Sequence, residues 1–274
     1  MKYINLNREP FFAFNIWSIE SAKAIMDAAG KTGHAVILQT SMKAFSRLDR
    51  EALRFFVTDY GEKKKVQAYL HLDHCRQIGP IQEAVACGWD SVMIDGSDRP
   101  LEENIRLTNE VCGMTKGKGI LTEAEVGQIG GVEDGIEAAQ AGVARLEDVL
   151  EFLRNTDVDM LAVAMGTAHG LYGRVPKLHF DLIERISPLT GVPLVVHGGT
   201  GLSDRTLQRL MVCGNIRKIN ISTDVKQAYR QGIETGIQNG YMEKSGFDPL
   251  RMTDMIHETI EDMAVHKLNL LEKV

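Results

Sequence analysis

The sequence predicts an α/β protein, a (β/α)₈ TIM barrel with a C-terminal helical tail. Short β-rich segments alternate with helical segments eight times along the chain. Strands separated by helices pair in parallel, because each crossover returns the chain to the same edge. The length of 274 residues matches eight such units closed into a barrel. An open doubly wound sheet is the alternative, but no G-x-G-x-x-G follows the first strand, which weakens its dinucleotide-binding version.

The predicted strands are runs of β-branched and other apolar residues that end near glycine or polar residues. In chain order they are 11–16 (FFAFNI), 35–40 (AVILQT), 66–73 (VQAYLHLD), 91–97 (SVMIDGS), 119–127 (GILTEAEVG), 160–170 (MLAVAMGTAHG), 192–199 (VPLVVHGG) and 216–222 (IRKINIS).

The predicted helices carry apolar residues at helical spacing and have recognisable ends. Ser18 is an N-cap residue type, Gly33 follows the first helix, and Pro100 begins the fourth. In chain order the helices are 18–33, 48–61, 78–88, 100–114, 146–156, 181–191, 203–214 and 224–240. One more amphipathic helix lies within 246–274. We therefore expect residues 1–274 to form one domain, with the barrel over 11–240 and a docked tail over 246–274.

Composition and charge exclude several classes of protein. The formal net charge is −6, and the only basic run is Lys63–Lys65, which argues against nucleic-acid binding. The four cysteines are far apart with no C-x-x-C, so neither a zinc ribbon nor a redox pair is indicated. The first residues lack the apolar region and cleavage site of a signal peptide, and no apolar run is long enough to span a membrane. We expect a cytoplasmic protein without nucleic-acid or membrane partners.

Polar residues follow most of the predicted strands, and the active site of a TIM barrel lies at the carboxyl ends of its strands. The strand-end candidates are Asn15, Gln39, Ser41, Asp73, His74, Asp95, Glu125, His169, His197 and Asn220. A single histidine in such a place is more often a hydrogen-bonded loop residue. Three at equivalent positions, His74, His169 and His197, favour a shared catalytic zinc ion. The other five are interpreted as surface or core residues: His34, His71, His179, His257 and His266.

Glycine-rich segments predict a phosphate site beside these histidines. Residues 197–204 (HGGTGLSD) expose backbone N–H groups, and 220–224 (NISTD) places hydroxyls at a helix N-terminus. Each segment alone is better explained as a tight turn or a helix cap, but both together, at the loops after strands 7 and 8 that commonly hold phosphate in this fold, favour a phosphorylated substrate. Residues 127–142, with Glu133 and Asp134, are either a plain solvated loop or a mobile active-site loop.

Six segments together resemble the class II, zinc-dependent ketose-bisphosphate aldolases, whose best-known members act on fructose and tagatose bisphosphates. They are HLDH, SVMIDGS, EAEVGQIGGVEDG, AVAMGTAHGLY, PLVVHGGTG and KINISTD. The resemblance extends over roughly residues 11–230, in order. It implies an enzyme that cleaves and forms the C3–C4 bond of a ketose phosphate or bisphosphate, giving dihydroxyacetone phosphate and an aldehyde. It also implies a homodimer or homotetramer.

The resemblance further implies a role for each matching residue. The implied zinc ligands are His74, His169 and His197. Asp73 would exchange a proton with the hydroxyl at the new carbon–carbon bond, and Glu133 would remove the proton next to the carbonyl. The positions for a second metal or a shifted zinc are Asp95 and Glu125. The positions for dihydroxyacetone phosphate are Gly170, Gly198, Gly199, Thr200, Asn220, Ile221, Ser222 and Thr223, with Na⁺ or K⁺ near the phosphate. Asn15 and Ser41 are further substrate-binding candidates.

Several expectations can be checked in a structure. Neighbours on a regular strand face opposite ways, so Asp73 and His74 can serve one site only if the strand is irregular there. Lys218 lies near the start of the last strand, away from the expected site. Trp17 either narrows the aldehyde side or packs against a helix, and Ser41 with Lys43 could meet a second anion. Because few residues precede the first strand, we expect the tail or a partner subunit to cover the barrel bottom.

Two other functions remain open from the sequence. One is a zinc hydrolase on the same barrel, which would use a metal-bound water. The other is a non-catalytic metabolite-binding barrel, although such a protein normally loses some of the ligands. Assays of ester and amide hydrolysis beside aldol cleavage separate these functions.

Overall fold

The computed structural model describes residues 4–6, 10–133, 136–138, 142–170, 172, 176–243, 245 and 247–273. Its strands, in chain order, are β1 Phe11–Asn15, β2 Val36–Thr40, β3 Ala68–Cys75, β4 Ser91–Ile94, β5 Leu121–Val126, β6 Gly130–Glu133, β7 Ile136–Ala138, β8 Met160–Val163, β9 Ala168–His169, β10 Leu194–Val196 and β11 Ile216–Ile221.

Eight of these strands form a closed parallel barrel, in which β11 pairs with β1 to complete the ring. Around the barrel the order is β1, β2, β3, β4, β5, β8, β10 and β11. The predicted (β/α)₈ barrel is therefore confirmed. The strands β6, β7 and β9 form a separate small sheet, with β6 in the centre.

Helices follow the barrel strands in the predicted alternation. They are α1 Ile19–Thr32, α2 Met42–Phe45, α3 Arg50–Lys64, α4 Ile78–Ala86, α5 Leu101–Thr115, α6 Leu146–Asn155, α7 Phe180–Ile186, α8 Asp204–Val212, α9 Thr223–Gln238 and α10 Pro249–Leu268, with 3₁₀ turns at Ser187–Leu189 and Leu271–Lys273. Ser18 caps α1 as predicted, because its side chain accepts a hydrogen bond from the Ser21 N–H. Within the part of the chain described, no helix is both long and apolar enough to cross a bilayer.

The C-terminal helix α10 docks on the outside of the barrel, against α1 and α9. Charged and polar side chains meet across this contact. Glu261 lies 2.9 Å from the Lys31 ammonium, His257 lies 3.2 Å from Asp27, and Lys267 lies 3.1 Å from Asp224. The predicted helical tail is thus present and packed.

The barrel interior is apolar at its lower end. The side chains of Phe11, Ala13 and Ile37 form one buried cluster with Ile4 and Leu6 from the N-terminal segment. Ile4 and Leu6 pack at this end and α10 docks elsewhere, so the expectation that the tail covers it is wrong for the described residues, and cover by a partner subunit stays a prediction. Polar residues are consequently concentrated in the middle and at the carboxyl ends of the strands.

One predicted strand is divided in the structure. The segment 160–170 forms β8 only as far as Val163, and β9 follows after a break. Gly166 lies in this break with φ of +98°, and a Cβ atom there would be 2.3 Å from the Lys177 carbonyl oxygen. The backbone at Lys177 approaches Gly166 so closely that the barrel strand ends before this point. His169 therefore belongs to the small sheet and not to a barrel strand.

Candidate active site

Asp73 and His74 lie at an irregularity near the end of β3. His74 has φ of +48°, and the pairing of β3 with β4 shifts register between Leu72 and Cys75. Positive φ is uncommon for residues other than glycine and often marks functional sites. The predicted departure from regular strand geometry is confirmed, and it brings both side chains to the same cavity.

Three imidazole rings meet above the barrel interior. His74 Nε2 lies 2.8 Å from His197 Nδ1, and the His169 ring centroid lies 4.8 Å from that of His74. One nitrogen of each ring falls within 4.8 Å of the others. Residues far apart in the sequence thus converge on one point, with a set of donors that suits Zn²⁺.

His169 lies in β9, which is only two residues long. Close backbone contacts on both sides of this short strand hold His169 in place. Gly131 of β6 pairs with His169, and a Cβ atom on Gly131 would lie 2.2 Å from the His169 carbonyl oxygen. On the other side, a Cβ atom on Gly198 would lie 2.3 Å from the Ala168 oxygen. The Tyr172 hydroxyl accepts from the Ala168 N–H at 3.0 Å and donates to the Gly198 carbonyl at 2.7 Å. Glycine and Tyr172 together place His169 beside the loop after β10.

Two carboxyl groups, Asp95 and Glu125, form a second candidate metal group with His74. His74 Nδ1 lies 3.4 Å from Asp95 and 4.0 Å from Glu125. Burial and the neighbouring Asp95 charge raise the pKa of Glu125 to about 8. Its Oε2 atom is buried without a hydrogen-bond partner among the described residues. A buried carboxyl oxygen without a hydrogen-bond partner fits a cation, whose charge would favour the ionised form of Glu125, so this pair suits a second metal or a shifted zinc.

The remaining contacts of Asp95 hold it ionised. Arg76 lies 3.2 Å away, and Ser97 donates to Asp95 from both its N–H and its hydroxyl. Although burial opposes it, the hydrogen bond with His74 holds the pKa of Asp95 well below its usual range. Burial would lower the pKa of His74, but the charge of Asp73 and the bond to Asp95 raise it well above its usual value.

Asp73 is the buried acid that the sequence predicts beside the histidines. Gln39 Nε2 donates to Asp73 Oδ2 at 3.0 Å, and Asn220 Nδ2 lies 3.4 Å from Oδ1. The same Gln39 nitrogen lies 2.6 Å from Asn15 Oδ1. Asp73 also lines a cavity of about 280 Å³ together with His74 and His169. Its carboxylate is therefore positioned by amides and accessible to a molecule in that cavity.

The two predicted phosphate loops are adjacent. Thr200 Oγ1 accepts from the backbone N–H groups of Ser222 and Asp224, both at 3.3 Å. The Gly199 N–H donates to the Asn220 carbonyl at 3.0 Å. The Ser222 hydroxyl is buried without a partner among the residues that the structure covers. The structure brings these substrate candidates together: Gly198, Gly199, Thr200, Asn220, Ile221, Ser222 and Thr223. Gly170 directly follows β9.

A second cavity, of about 430 Å³, adjoins the first at Ser41 and Lys43, which line both. Arg47 and Lys226 also line it, and Trp17 forms part of its wall. No carboxylate lines this cavity in the described part of the chain. Trp17 packs edge-on against Tyr229 of α9, with ring centroids 5.5 Å apart. Trp17 therefore packs against a helix and also borders a cavity next to the active site, while its narrowing of the aldehyde side stays a prediction.

The glycine-rich segment 127–142 contains ordered backbone instead of a plain loop. Its described part forms β6 and the antiparallel strand β7. Glu133 is the last residue of β6, but its side chain lies outside the described part of the structure, as does all of Asp134. The expected role of Glu133 stays a prediction.

Below the histidines lies a buried polar network that the sequence interpretation missed. Glu123 Oε1 lies 2.8 Å from His197 Nε2, and Glu123 Oε2 lies 2.7 Å from Lys218 Nζ. His71 Nδ1 lies 2.8 Å from the Ser91 hydroxyl, and His71 Nε2 lies 3.6 Å from Glu123. Burial opposes it, but the charge of Lys218 holds the pKa of Glu123 well below its usual range. Burial together with Lys218 keeps the pKa of His71 low.

Strand periodicity could have shown that the residues of this network face the barrel interior. Glu123 precedes Glu125 by two residues, His71 precedes Asp73 by two, and Lys218 precedes Asn220 by two. Residues two apart on a strand share a face. Each missed residue thus points inward one layer below a residue that was predicted.

The whole chain matches a known family. The family described as "Fructose-bisphosphate aldolase class-II" matches residues 2–274. A sulfofructosephosphate aldolase from Alkalicoccus urumqiensis is 35% identical over 229 residues, which cover 83% of this chain and 79% of that protein. A 6-phospho-5-dehydro-2-deoxy-D-gluconate aldolase from Halalkalibacterium halodurans is 36% identical over 229 residues, covering 82% and 79% of the two chains.

A solved structure has the same fold. The crystal structure of the YdjI aldolase from Escherichia coli K12 superposes with a TM-score of 0.81 and 28% sequence identity. The match covers 96% of this chain and 91% of that one.

Proposed function

Because this chain belongs to the class-II fructose-bisphosphate aldolase family, and is thus an aldolase and a carbon–carbon lyase, we propose that it acts with zinc on the C3–C4 bond of a ketose phosphate. The products are dihydroxyacetone phosphate and an aldehyde. One observation carries the proposal. The three imidazoles meet beside the Asp73 carboxylate and next to the glycine-rich loops after β10 and β11.

The donor atoms at this point suit zinc. The residues that would hold it are His74, His169 and His197, with Asp95 and Glu125 available for a second or shifted metal ion. When bound, zinc supplies Lewis acidity toward the substrate carbonyl and so favours breaking the adjacent carbon–carbon bond.

Asp73 is proposed to move the proton at the bond that breaks. During cleavage its carboxylate accepts the proton of the C4 hydroxyl, and in condensation it returns that proton. The Gln39 and Asn220 amides fix the position of the Asp73 carboxylate before the substrate binds. Glu133 is proposed as the base that takes the proton next to the carbonyl.

The phosphate of the ketone half is proposed to bind at the loops after β10 and β11. The buried Ser222 hydroxyl, which no described group satisfies, and the N-terminus of α9 support an anion there. A phosphate held at that point positions the reacting carbons over the histidines. A monovalent cation, Na⁺ or K⁺, is proposed near this phosphate.

The aldehyde half is proposed to carry an anionic group of its own. Asp73 marks the aldehyde side, and Asn15, two hydrogen bonds away, lines the cavity that contains Lys43, Arg47 and Lys226. Neither Lys43 nor Arg47 has an acidic partner within the described chain. The two curated relatives are named for substrates that have a phosphate and a second acid group, a sulfonate in one and a gluconate in the other. A sugar that is anionic at both ends is the substrate class that these observations support.

The assembly and location are also proposals. We propose a homodimer or homotetramer, which four exposed apolar residues around the start of α10 support: Ile237, Met242, Phe247 and Leu250. A cytoplasmic location is supported by the four free cysteines. Light scattering after gel filtration tests the first, and cell fractionation the second.

Condensation assays test the central proposal. Purified enzyme loaded with zinc is incubated with dihydroxyacetone phosphate and a panel of aldehydes. We expect a ketose phosphate product, loss of activity with a chelator, and recovery when zinc is added. Borohydride with substrate should trap no adduct. Hydrolysis of esters or amides in place of aldol chemistry, or borohydride trapping on a lysine, would refute the proposal.

A further inference from the structure

We propose that Lys218 is a positioning residue for the metal centre, acting through Glu123 to fix which nitrogen of His197 carries the proton. This inference rests on the proposed role of His197 as a metal ligand. Lys218 lies below the histidines on β11 and touches no cavity of the described active site. Its action is therefore indirect.

The contacts form an uninterrupted chain. The Lys218 ammonium lies 2.7 Å from Glu123 Oε2, and Glu123 Oε1 lies 2.8 Å from His197 Nε2. Lys218 is 1% exposed and Glu123 is fully buried. A lysine ammonium can only donate hydrogen bonds, and an ionised carboxylate can only accept them. In this series of contacts, Lys218 therefore donates a hydrogen bond to Glu123, and Glu123 accepts one from His197.

That direction decides the state of His197. Because Glu123 accepts, His197 Nε2 must carry the hydrogen, and a neutral ring then has its lone pair on Nδ1. His197 Nδ1 is the atom that lies 2.8 Å from His74 Nε2 and points to the histidine cluster. Lys218 therefore keeps the metal-facing nitrogen ready to coordinate.

The neighbouring groups do not replace this function. His71 is the other ring near Glu123, but its Nε2 is 3.6 Å away and has no hydrogen-bond partner among the residues described. Its Nδ1 is engaged with Ser91. Lys218 is the one ammonium group that the described structure places on Glu123.

Two single substitutions and their combination test the inference. In Lys218→Met, Glu123 loses the ammonium group that fixes its orientation, so its carboxyl group no longer holds the hydrogen on His197 Nε2 and the ring hydrogen can move to Nδ1. In Glu123→Gln, the Lys218 ammonium donates to the amide oxygen, so the amide NH₂ group faces His197 Nε2. The ring hydrogen is then expected on Nδ1, as in Lys218→Met. We expect each to weaken zinc binding about 10- to 100-fold, as for other groups behind a metal ligand.

The double variant Lys218→Met/Glu123→Gln should recover zinc affinity. Without the ammonium, the amide oxygen can accept from His197 Nε2 again. Lys218→Met thus weakens zinc binding in the wild-type background and strengthens it in the Glu123→Gln background. A purely structural lysine would not show this reversal. The double variant buries no unpaired charge, so it remains informative even where a single variant does not fold.

Two readouts are used. Zinc affinity is measured by competition with a coloured chelator, and nitrogen-15 NMR of the metal-free protein reports which His197 nitrogen is protonated. Ile37→Ala, in the same barrel interior, is the control. It should lower stability and leave both readouts unchanged.

The outcomes separate this inference from the proposed function. If the wild type binds no zinc, the proposed function fails, and the NMR signal of His197 still tests Lys218. The inference is overturned if Lys218→Met keeps the wild-type tautomer. It is also overturned if the double variant carries the His197 proton on Nδ1 or binds zinc as weakly as the single variants.

Discussion

His74 Nε2 and His197 Nδ1 lie 2.8 Å apart, although 123 residues separate the two histidines in the chain. The contact joins the end of β3 to the loop after β10, and the ring of His169 lies against both. One nitrogen of each of the three rings lies within 4.8 Å of the others, so the rings together form a candidate metal site.

Removing one ring should remove the metal. His169→Ala is expected to weaken zinc binding more than about 100-fold, beyond the effect of a group behind a ligand, and to abolish cleavage. Metal content after dialysis and aldol activity are the measurements. His266→Ala, which removes an exposed ring paired with Asp204, should leave both unchanged. Full zinc content in His169→Ala would contradict its role as a ligand.

Asp73 should be needed for turnover but not for metal binding. Asp73→Asn keeps the size of the side chain and removes its ability to accept a proton. We expect kcat to fall about 10²- to 10⁴-fold, the usual range for general acid–base catalysis. Zinc content, measured in parallel, should be that of the wild type. Asp181→Asn on the exposed surface of α7 is the control. Unchanged kcat would exclude Asp73 as the proton acceptor.

The cations of the second cavity should select anionic aldehydes. Lys43→Gln/Arg47→Gln is expected to lower the ratio of kcat/KM for aldehydes ending in a phosphate or sulfonate to kcat/KM for an uncharged aldehyde. The decrease should be about 100-fold, since each hydrogen bond to a charged group contributes about 1.5–3 kcal/mol.

A matched pair of substitutions tests whether this effect is local. Arg106→Gln/Lys116→Gln removes the same charge from positions outside both cavities, and the ratio should not change. Comparing the phosphate with the sulfonate shows which oxyanion is preferred. If both double variants shift the ratio equally, the effect comes from net charge and the cavity has no special role.

Asp27 should stabilise the packing of α10 in a pH-dependent way. It accepts hydrogen bonds from the Lys23 ammonium and from the Tyr60 hydroxyl, and it lies 3.2 Å from His257 on α10. Burial opposes it, but these donors hold the pKa of Asp27 below its ordinary 3.8. A depressed carboxyl pKa contributes stability above the ordinary pKa, and this stability is lost as pH falls through the folded-state pKa.

Asp27→Asn is therefore expected to lower the free energy of unfolding by about 1.5 kcal/mol at pH 7, typical of hydrogen bonds to a charged group. Denaturant titrations at several pH values should show the difference shrinking below about pH 4. Asp59→Asn, which breaks an exposed pair with Lys63, is the control and should have little effect at any pH. A difference that does not shrink at all as pH falls from 7 to 3 would show that charge is not its cause.

Gly198 should tolerate no side chain. Its φ is +70°, and a Cβ atom would lie 2.3 Å from the Ala168 oxygen. Gly198→Ala is expected to cost about 1–3 kcal/mol of stability through backbone strain and to weaken zinc binding by moving His169. Gly113→Ala, at a helical position with nothing within 4 Å, should be neutral or slightly stabilising. Wild-type thermal stability and zinc affinity in Gly198→Ala would show that the close approach is not needed.

Much of the candidate site could be predicted because it depends on local sequence patterns. The alternation of strand and helix repeats eight times, and a parallel barrel brings all strand ends to one side. His74 and His197 adjoin the ends of such strands, so their convergence was predictable. The irregularity at Asp73–His74 was predictable as well, since two neighbours had to face one cavity.

Other features depended on contacts across the barrel. The separation of β9 from β8, the pairing of Lys218 with Glu123 and the grouping of Lys43 with Arg47 and Lys226 have no local signal. Periodicity tells which residues of a strand face inward, but strand register and closure decide which of them touch. The sequence by itself determined the barrel and the side on which its site lies. Only the tertiary structure decided how the interior charges pair, because those distances exist only after the first and last strands have joined.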